Sequence, residues 1–222
     1  MEDEVHSPDE MRHAMDEIWI QNNLGFLARY WHTAGEALKR VTENPESFTE
    51  FRRNDSPPQY VAAVVENHLE NHNYSGVLLA YAIFDEFLNV LAGNLGRAVD
   101  APINPGELRD RGVRRYRKFV HKVCRVPMEG TSIDWSFLED LATVRNAIIH
   151  ANGNKSLLSS PKELEQVVAR RSPNLTFTHG VRLVVSDAFV VRSIEVIRDS
   201  ALAVHALAGP TERDPVEVRD RE

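Results

Sequence analysis

The chain is short of the residues that build disulfide frameworks and thiolate metal sites. Of its 222 residues, only Cys124 is a cysteine, so an intramolecular disulfide and a cysteine-based metal centre are both excluded. Disulfides belong to oxidising compartments, so this composition favours a cytoplasmic protein. The first residues, "MEDEVHSPDE", are acidic and no hydrophobic stretch follows them, which argues against a secretory signal.

Long apolar runs and glycine-rich loops are also scarce. No uninterrupted apolar run approaches the roughly 20 residues of a membrane-spanning helix, so we expect no membrane association. The glycines form neither a GxGxxG fingerprint nor a Walker motif, so we predict no nucleotide cofactor. His68 and His72 have a spacing that suits zinc on a helix. No third ligand follows from spacing, so we predict no metal site.

Helical periodicity dominates what the chain does contain. Apolar residues three or four apart predict a long helix over residues 9–41, which Pro45, Pro57 and Pro58 then interrupt. The apolar stripe of this helix comprises Met15, Ile18, Leu24, Leu27, Trp31, Ala34 and Leu38. A further helix begins at about Gln59, and the apolar stretch "NYSGVLLAYAIFDEFLNVLAGNLG" is predicted to be a central, largely buried helix.

Two more helices are predicted in the middle of the chain. Residues 109–125 have apolar side chains at spacings of three and four and charged side chains on the other faces. The apolar stripe here comprises Val113, Tyr116, Val120 and Val123. Another helix runs from Trp135 to about Ala151, and Ser132 or Asp134 is suited to cap its start.

The last part of the chain has a β-strand pattern followed by a helical one. Alternation and β-branched residues in "NLTFTHGVRLVV" predict a hairpin that turns at His179 and Gly180, and a helix capped by Ser186 or Asp187 follows. We therefore predict an all-α fold, a helical bundle with a small β-hairpin before the last helix. The expected parts are an N-terminal helical extension (1–58), a helical domain (59–208) and a disordered charged tail (209–222).

The distribution of charge singles out one segment. The whole chain carries a net charge of −7, which argues against indiscriminate nucleic-acid binding. Residues 109–125 nevertheless carry +7, which leaves −14 on the other 205 residues. Such a local basic patch fits RNA, although a solvated helix face or a surface for an acidic partner protein fits the same pattern. The predicted RNA-binding residues are Arg111, Arg114, Arg115, Arg117, Lys118 and Lys122.

The stretch "VRNAIIHANGN", residues 144–154, brings Arg145, Asn146 and His150 to the end of a predicted helix, before a left-handed turn suited to Gly153. The arginine–histidine spacing alone is expected by chance in a chain with this many of both. Asn146 and His150 lie about 40° apart on a helix, whereas Arg145 lies about 140° from His150. A single phosphate is therefore reached if Arg145 bends round on its long stem, or if two copies of the helix meet across a twofold axis.

These residue types fit RNA cleavage through the ribose 2′-hydroxyl without a metal. Histidine titrates near neutral pH and serves as a base, and the planar arginine matches charge on phosphate oxygens. Asn146 would bind the phosphate or fix the histidine. The alternative is decoration of a helix end, where the helix dipole favours a histidine. Arg145 would then pair with an acid such as Asp140 or Glu86, whose carboxylate needs a partner on an apolar helix.

The sequence resembles the HEPN superfamily, helical nucleotide-binding and ribonuclease domains found in many bacterial defence and toxin–antitoxin systems. The resemblance covers roughly residues 60–208 and rests on "VRNAIIHANGN", which is similar to the family's arginine–(four to six residues)–histidine motif. The order of parts supports it: "YAIFDEFLN", "RGVRRYRKFVHKV", "WSFLEDLATVRNAIIH" and "LTFTHGVRLVVSDAFVVRSIEVI".

The resemblance implies a homodimer with both motif helices at the interface and metal-independent endoribonuclease activity, as a toxin–antitoxin or phage-defence effector. Arg145 and His150 would be catalytic, with Asn146 beside them in a supporting role and Glu86 as a more distant support. RNA would be the substrate, and a cognate antitoxin would be a further partner. Because many family members keep the fold without activity, a non-catalytic RNA- or protein-binding module is the alternative.

Overall fold

The computed structural model describes residues 8–44, 57–128 and 130–208. In this part of the chain there are six α-helices and one two-stranded antiparallel hairpin, which precedes the last helix. The predicted all-α fold with a small hairpin is confirmed. The elements are α1 (Pro8–Glu43), α2 (Pro58–Ala98), α3 (Gly112–Lys118), α4 (Trp135–Ala151), α5 (Pro161–Arg171), β1 (Leu175–Thr178), β2 (Arg182–Val185) and α6 (Asp187–Ala208).

The described residues divide into two compact units. The first unit contains the residues up to Asn22, Asp85–Ile133 and the residues from Arg198. The second unit contains Asn23–Phe84 and Asp134–Ile197, so α1, α2 and α6 each pass from one unit into the other. The expected border at residue 58 falls inside the second unit, and the expected tail over 209–222 lies outside the described residues.

Helix α1 follows its predicted course closely. Leu24, Leu27 and Trp31 are buried, as the apolar spacing indicated. Ile18, predicted in the same stripe, is 50% exposed, and Ile20 is buried instead. The reason is helical geometry, because Ile20 lies about 40° from Leu24 around the axis whereas Ile18 lies about 120° away.

Helix α2 joins the segment from Gln59 and the apolar stretch after it into one continuous helix. Gly76, near its middle, is where two other helices approach closely. A Cβ atom at Gly76 would lie 2.6 Å from Val190 and 2.7 Å from the indole nitrogen of Trp31. A glycine inside a helix lowers its stability. At this position, the absence of a side chain allows α1 and α6 to pack closely against α2.

Part of α2, Tyr60–Ala98, is long and apolar enough to cross a membrane by length and composition. This differs from the expectation that no such stretch exists, because scattered polar residues hide the stretch when only uninterrupted runs are counted. Half of its most apolar window is buried within the protein's own fold.

The predicted basic helix is α3 continued by a π-turn, Phe119–Val123. The amide of Cys124 donates to the carbonyl of Phe119 at 3.0 Å, an interval one residue longer than in an α-helix. The longer turn buries Phe119, Val120 and Cys124 together. Val123, predicted in the apolar stripe, is consequently only partly buried.

Helix α4 begins and ends at the predicted residues. Asp134 caps its start by accepting a hydrogen bond from the amide of Phe137 at 2.9 Å. Its predicted apolar stripe is buried and comprises Phe137, Leu141, Val144 and Ile148. Because these side chains fill the inward side of the helix, its opposite side faces solvent.

Helix α5 has no counterpart among the sequence predictions. Pro161 stands in its first turn, where proline is well accepted. Leu164, Val167 and Val168 are buried at spacings of three and one, which gives the short helix one apolar side. Helix α5 packs against α4 and β1 in the second unit.

The hairpin forms where alternation predicted it, with Leu175 opposite Val185 in an antiparallel register. His179 and Gly180 have φ angles of 48° and 71°, and positive φ at both central residues is what a type I′ turn requires. Ser186, one of the two residues predicted to cap α6, accepts a hydrogen bond at its hydroxyl from the amide of Phe189.

Candidate functional site

The arginine, asparagine and histidine of the motif lie on the last two turns of α4. Asn146 and His150 are exposed and Arg145 is partly buried. Ile149, between them on the same side of the helix, is 48% exposed. The second unit therefore presents a solvent-facing surface at the end of α4 that carries two polar side chains and one apolar side chain.

Arg145 reaches round toward Asn146. Its Nη1 donates to the Asn146 side-chain oxygen at 2.9 Å, and its Cζ lies 5.5 Å from the centre of the Tyr81 ring. The arginine side chain therefore bends toward Asn146 within a single chain, as the first of the two predicted routes requires. The guanidinium thereby comes to the residue that shares a helix face with His150.

Asp140, one of the two acids proposed as alternative partners of Arg145, pairs with other residues. Asp140 is buried and accepts from Arg170 Nη2 at 2.5 Å and from Arg171 Nε at 2.8 Å. An Arg145–Asp140 pair is therefore wrong, because two arginines at the end of α5 occupy the carboxylate. Helix α5, which the sequence patterns did not predict, is the source of both.

Glu86 is exposed and belongs to the first unit, whereas Arg145 belongs to the second. The expectation that its carboxylate needs a partner is wrong, because water solvates an exposed carboxylate at no desolvation cost. The supporting role that the family resemblance implies for Glu86 stays a prediction.

The imidazole of His150 lies in solvent. Within the described part of the chain, no hydrogen bond or ion pair involves this side chain. An exposed histidine in the last turn of a helix satisfies the helix-dipole interpretation. It equally satisfies the geometric need of a general base, which must be accessible to the substrate.

The backbone just after His150 is tightly fixed. Asn152 and Gly153 have φ angles of 47° and 74°, so the left-handed turn predicted at Gly153 is confirmed and begins one residue earlier. The amide of Asn152 donates to the carbonyl of Ile148 at 2.9 Å, and that of Gly153 donates to the carbonyl of Ala147 at 3.0 Å. These bonds close the last turn of α4.

The basic residues of α3 and the π-turn fall into two groups. Lys118 pairs with the Asp110 carboxylate at 2.7 Å and Arg115 donates to the Asp110 carbonyl at 2.8 Å. The hydrogen bond from Lys118 lowers the pKa of the Asp110 carboxyl. Arg111 and Lys122 are exposed and have no such bond among the described residues. Lys118 and Arg115, both predicted to bind RNA, therefore already have a partner within the protein. The remaining predicted members, both exposed, are Arg114 and Arg117.

The two histidines considered for zinc binding differ in exposure. His68 is exposed, whereas His72 stacks on Trp31 with ring centres 5.1 Å apart and is partly buried. Burial lowers the pKa of His72, against the opposing effect of Asp187. Among the described residues, no group of three or more histidine, cysteine, aspartate and glutamate side chains is arranged to hold a metal ion.

Sequence reasoning missed Tyr74, whose hydroxyl donates to the carbonyl of Leu183 at 2.6 Å in the interior of the second unit. Tyr74 also lies against Gly153, since a Cβ atom built there would overlap its hydroxyl oxygen. No local pattern marks this role, because the partners are far apart in the sequence.

Comparison of the chain with protein-family models, with curated proteins and with solved structures gives no match. The resemblance to HEPN proteins therefore rests on residues of this chain alone. The family, and with it ribonuclease activity, dimerisation and an RNA substrate, stays a prediction.

Proposed function

We propose that the protein is a metal-independent endoribonuclease of HEPN type, a toxin–antitoxin or phage-defence effector that acts as a homodimer. One observation carries the proposal: Arg145 is hydrogen-bonded to Asn146, one turn before the exposed His150. The arginine charge and a solvated imidazole thus belong to one surface of α4, which supports their joint action on a phosphate.

In the proposed reaction, His150 accepts the proton of a ribose 2′-hydroxyl, and the 2′ oxygen attacks the adjacent phosphorus. The bond from phosphorus to the 5′ oxygen breaks, and that oxygen takes up a proton from solvent. Arg145 stabilises the negative charge that develops on the phosphate oxygens, and Asn146 orients the guanidinium. The products are a 2′,3′-cyclic phosphate end and a 5′-hydroxyl end.

The proposed dimer uses the same surface. Ile149 is 48% exposed between the polar residues of the motif, and an exposed apolar side chain gains free energy when a second copy covers it. A twofold axis beside α4 would give each site the Arg145 and His150 of both copies, as the family resemblance implies.

The test is RNA cleavage by purified protein carrying His150→Ala, with His68→Ala as the matched control. His68 is also exposed on a helix, so both substitutions should leave folding intact. Loss of a general base lowers the rate by about 10² to 10⁴. Cleavage by the His150 variant at the rate of the His68 control contradicts the proposal.

Arg145→Ala, with the exposed Arg192→Ala as its control, tests the charge-stabilising role. Its loss is expected to lower the rate about 10² to 10³, the magnitude seen when a preorganised donor to a developing oxyanion is removed. A substrate with a single 2′-deoxyribose at the cleavage site should stay intact, and chelation of divalent metals should leave the rate unchanged. Cleavage at a deoxyribose excludes the proposed chemistry.

A second candidate function is a non-catalytic RNA-binding module. The +7 charge over residues 109–125 favours it, because binding to a polyanion needs charge density rather than a fixed reactive geometry. In that case the wild type binds RNA and leaves it intact, and substitution of both Arg111 and Lys122 weakens binding by about tenfold to a hundredfold. A cleavage product that depends on His150 decides for the enzyme.

A further inference from the structure

The chain that leaves α4 is built into the hairpin. The amide of Lys155 donates to the carbonyl of Val181 at 2.9 Å, and the amide of Leu183 donates to the carbonyl of Gly153 at 2.9 Å. Asn154 thereby forms an antiparallel bridge with Arg182. The three residues 153–155 act as a short third strand that covers the outer edge of β2.

Tyr74 of α2 supports the junction between α4 and β2 from the interior of the second unit. It is 3% exposed and donates its hydroxyl proton to the Leu183 carbonyl at 2.6 Å. Burial raises the pKa of Tyr74, with the Glu70 carboxylate adding to the effect, so the phenol remains a donor at all ordinary pH values. The same hydroxyl lies where the Cβ atom of any residue but glycine at position 153 would stand.

Neighbouring side chains of α2 fix the rest of β2. Glu70 pairs with Arg182 at 2.6 Å, and Asn73 donates to the carbonyl of Val185 at 2.8 Å. Together with Tyr74, they bind three of the four residues of the strand. The strand is therefore a rigid support for the segment paired with it, since each contact is at least partly buried.

Gly153 connects this support to the motif helix. Its carbonyl accepts from β2, and its amide closes the last turn of α4 by donating to Ala147. His150 stands in that closed turn, three residues before Gly153. Among the described residues, no hydrogen bond or ion pair holds its imidazole. The position of His150 therefore depends on the backbone of this turn.

We propose that Tyr74 and Gly153 are positioning residues for His150, acting through the junction of α4 with β2. The proposal rests on the proposed ribonuclease function. In this proposal, Tyr74, which is far from His150 in the sequence, and Gly153, which follows His150 by three residues, together fix the position of the general base. Displacement of a catalytic group by about 1 Å lowers a rate by about a hundredfold, so loosening the junction should act on the chemical step.

The first test is Tyr74→Phe, which removes only the hydroxyl. It is expected to lower kcat about tenfold and leave KM unchanged, because the ring still packs while the turn carrying His150 loosens. Tyr60→Phe, at an exposed tyrosine of the same helix, controls for loss of a hydroxyl. Val65→Ala, at a buried position of α2, controls for a fall in Tm alone and should leave kcat unchanged.

The second test is Gly153→Ala, alone and with Tyr74→Phe. The alanine is strained at a φ of 74° and meets the Tyr74 side chain, so kcat should fall about a hundredfold. The double variant should lose less than the product of the two single effects, since both changes act on one junction. Independent, fully multiplicative effects, or a change confined to KM, overturn the proposal.

Amide hydrogen exchange separates this proposal from the function on which it rests. Exchange at Asn152 and Gly153 should accelerate about tenfold in Tyr74→Phe relative to Tyr60→Phe, because the closed turn opens more often. If the wild type does not cleave RNA, the proposed function fails, and accelerated exchange still supports the junction as the device that holds the end of α4. Unchanged exchange at these amides overturns the positioning role whatever the activity.

Discussion

The end of α4 and the basic segment over residues 109–125 both carry cationic side chains, but different contacts hold the two regions in place. The end of α4 is fixed by hydrogen bonds to β2, which lies about thirty residues away, with Tyr74 behind it. In the basic segment, Lys118 and Arg115 bond to Asp110 of the same segment, and the Tyr116 hydroxyl donates to the Asn89 side-chain oxygen at 3.4 Å. Long-range backbone bonds thus hold the turn that carries His150, whereas a neighbouring aspartate holds two cations of the basic segment.

This difference matches what each proposed task requires. Acid–base chemistry depends on the placement of a few atoms, so a site of three side chains gains from a rigid backbone. Binding to a phosphate chain depends on the number of charges that neutralise it, so surface arginines and lysines serve without long-range support. We therefore expect substitutions around the end of α4 to change the rate of cleavage or the stability, and substitutions in the basic segment to change the affinity for RNA.

The largest stability effect is expected for the double variant Arg170→Ala with Arg171→Ala. It leaves the Asp140 carboxylate of α4 without a partner in a position where its side chain is 5% exposed. We expect a loss of about 3 kcal/mol in the free energy of unfolding, the lower end for breaking a buried pair, because truncation of two long side chains also admits water. Urea unfolding measures it. Exposed Arg192→Ala with Arg198→Ala is the control, and an equal loss there contradicts the prediction.

A matched pair of valines sharpens the comparison. Val144→Ala in α4 removes two methyl groups from a fully buried position, which should cost about 2 kcal/mol from lost transfer free energy and the cavity left behind. Val123→Ala in the π-turn removes the same groups from a partly exposed position and should cost about half as much or less. Equal shifts of the urea midpoint would mean that both regions are packed alike.

In the basic segment, the expected effect is on RNA affinity. Arg111→Ala and Lys122→Ala should each weaken binding roughly threefold to tenfold and reduce the slope of log K against log salt by about one. Lys118→Ala should change the slope less, because Asp110 already neutralises that side chain. Fluorescence anisotropy at several salt concentrations measures both quantities. Exposed Lys162→Ala of α5 is the control, and an identical slope change there contradicts the assignment.

The smallest expected effect is a pH dependence that His72 contributes. Burial lowers its pKa in the folded protein, so the unfolded chain binds the proton more readily between the lowered value and the ordinary one, about 6.5. The contribution of His72 is fully present above pH 6.5 and is lost as the pH falls from there to the lowered pKa. Unfolding measured across this window should be less pH-dependent in His72→Gln than in His68→Gln, and identical curves contradict the prediction.

Sequence patterns predicted the elements that local physics dictates. Helix α4 is correct at both ends because Asp134 caps it, Gly153 allows the left-handed exit, and the apolar stripe repeats at helical spacing. The hairpin is correct because alternation and a His179–Gly180 turn are local signals. Helix α5 is as readable, with Pro161 in its first turn and one apolar side, yet it was not among the predictions.

The candidate site was predicted in part. The positions of Arg145, Asn146 and His150 at a helix end follow from spacing. The choice of Asn146 as the acceptor for Arg145, the burial of Asp140 and the exposure of Glu86 do not follow from it. Each depends on which side chains of other elements arrive nearby, and periodicity along one helix carries no such information.

The sequence by itself determined the helical class, the bounds of α4, the hairpin and the concentration of positive charge over residues 109–125, because each arises from contacts between residues close in the chain or from composition. Only the tertiary structure decided that Arg170 and Arg171 take the carboxylate of Asp140, and that Tyr74 and β2 hold the turn after His150. Those partners are 30 residues or more apart in the sequence, and hydrogen bonds over such distances exist only once the core has packed.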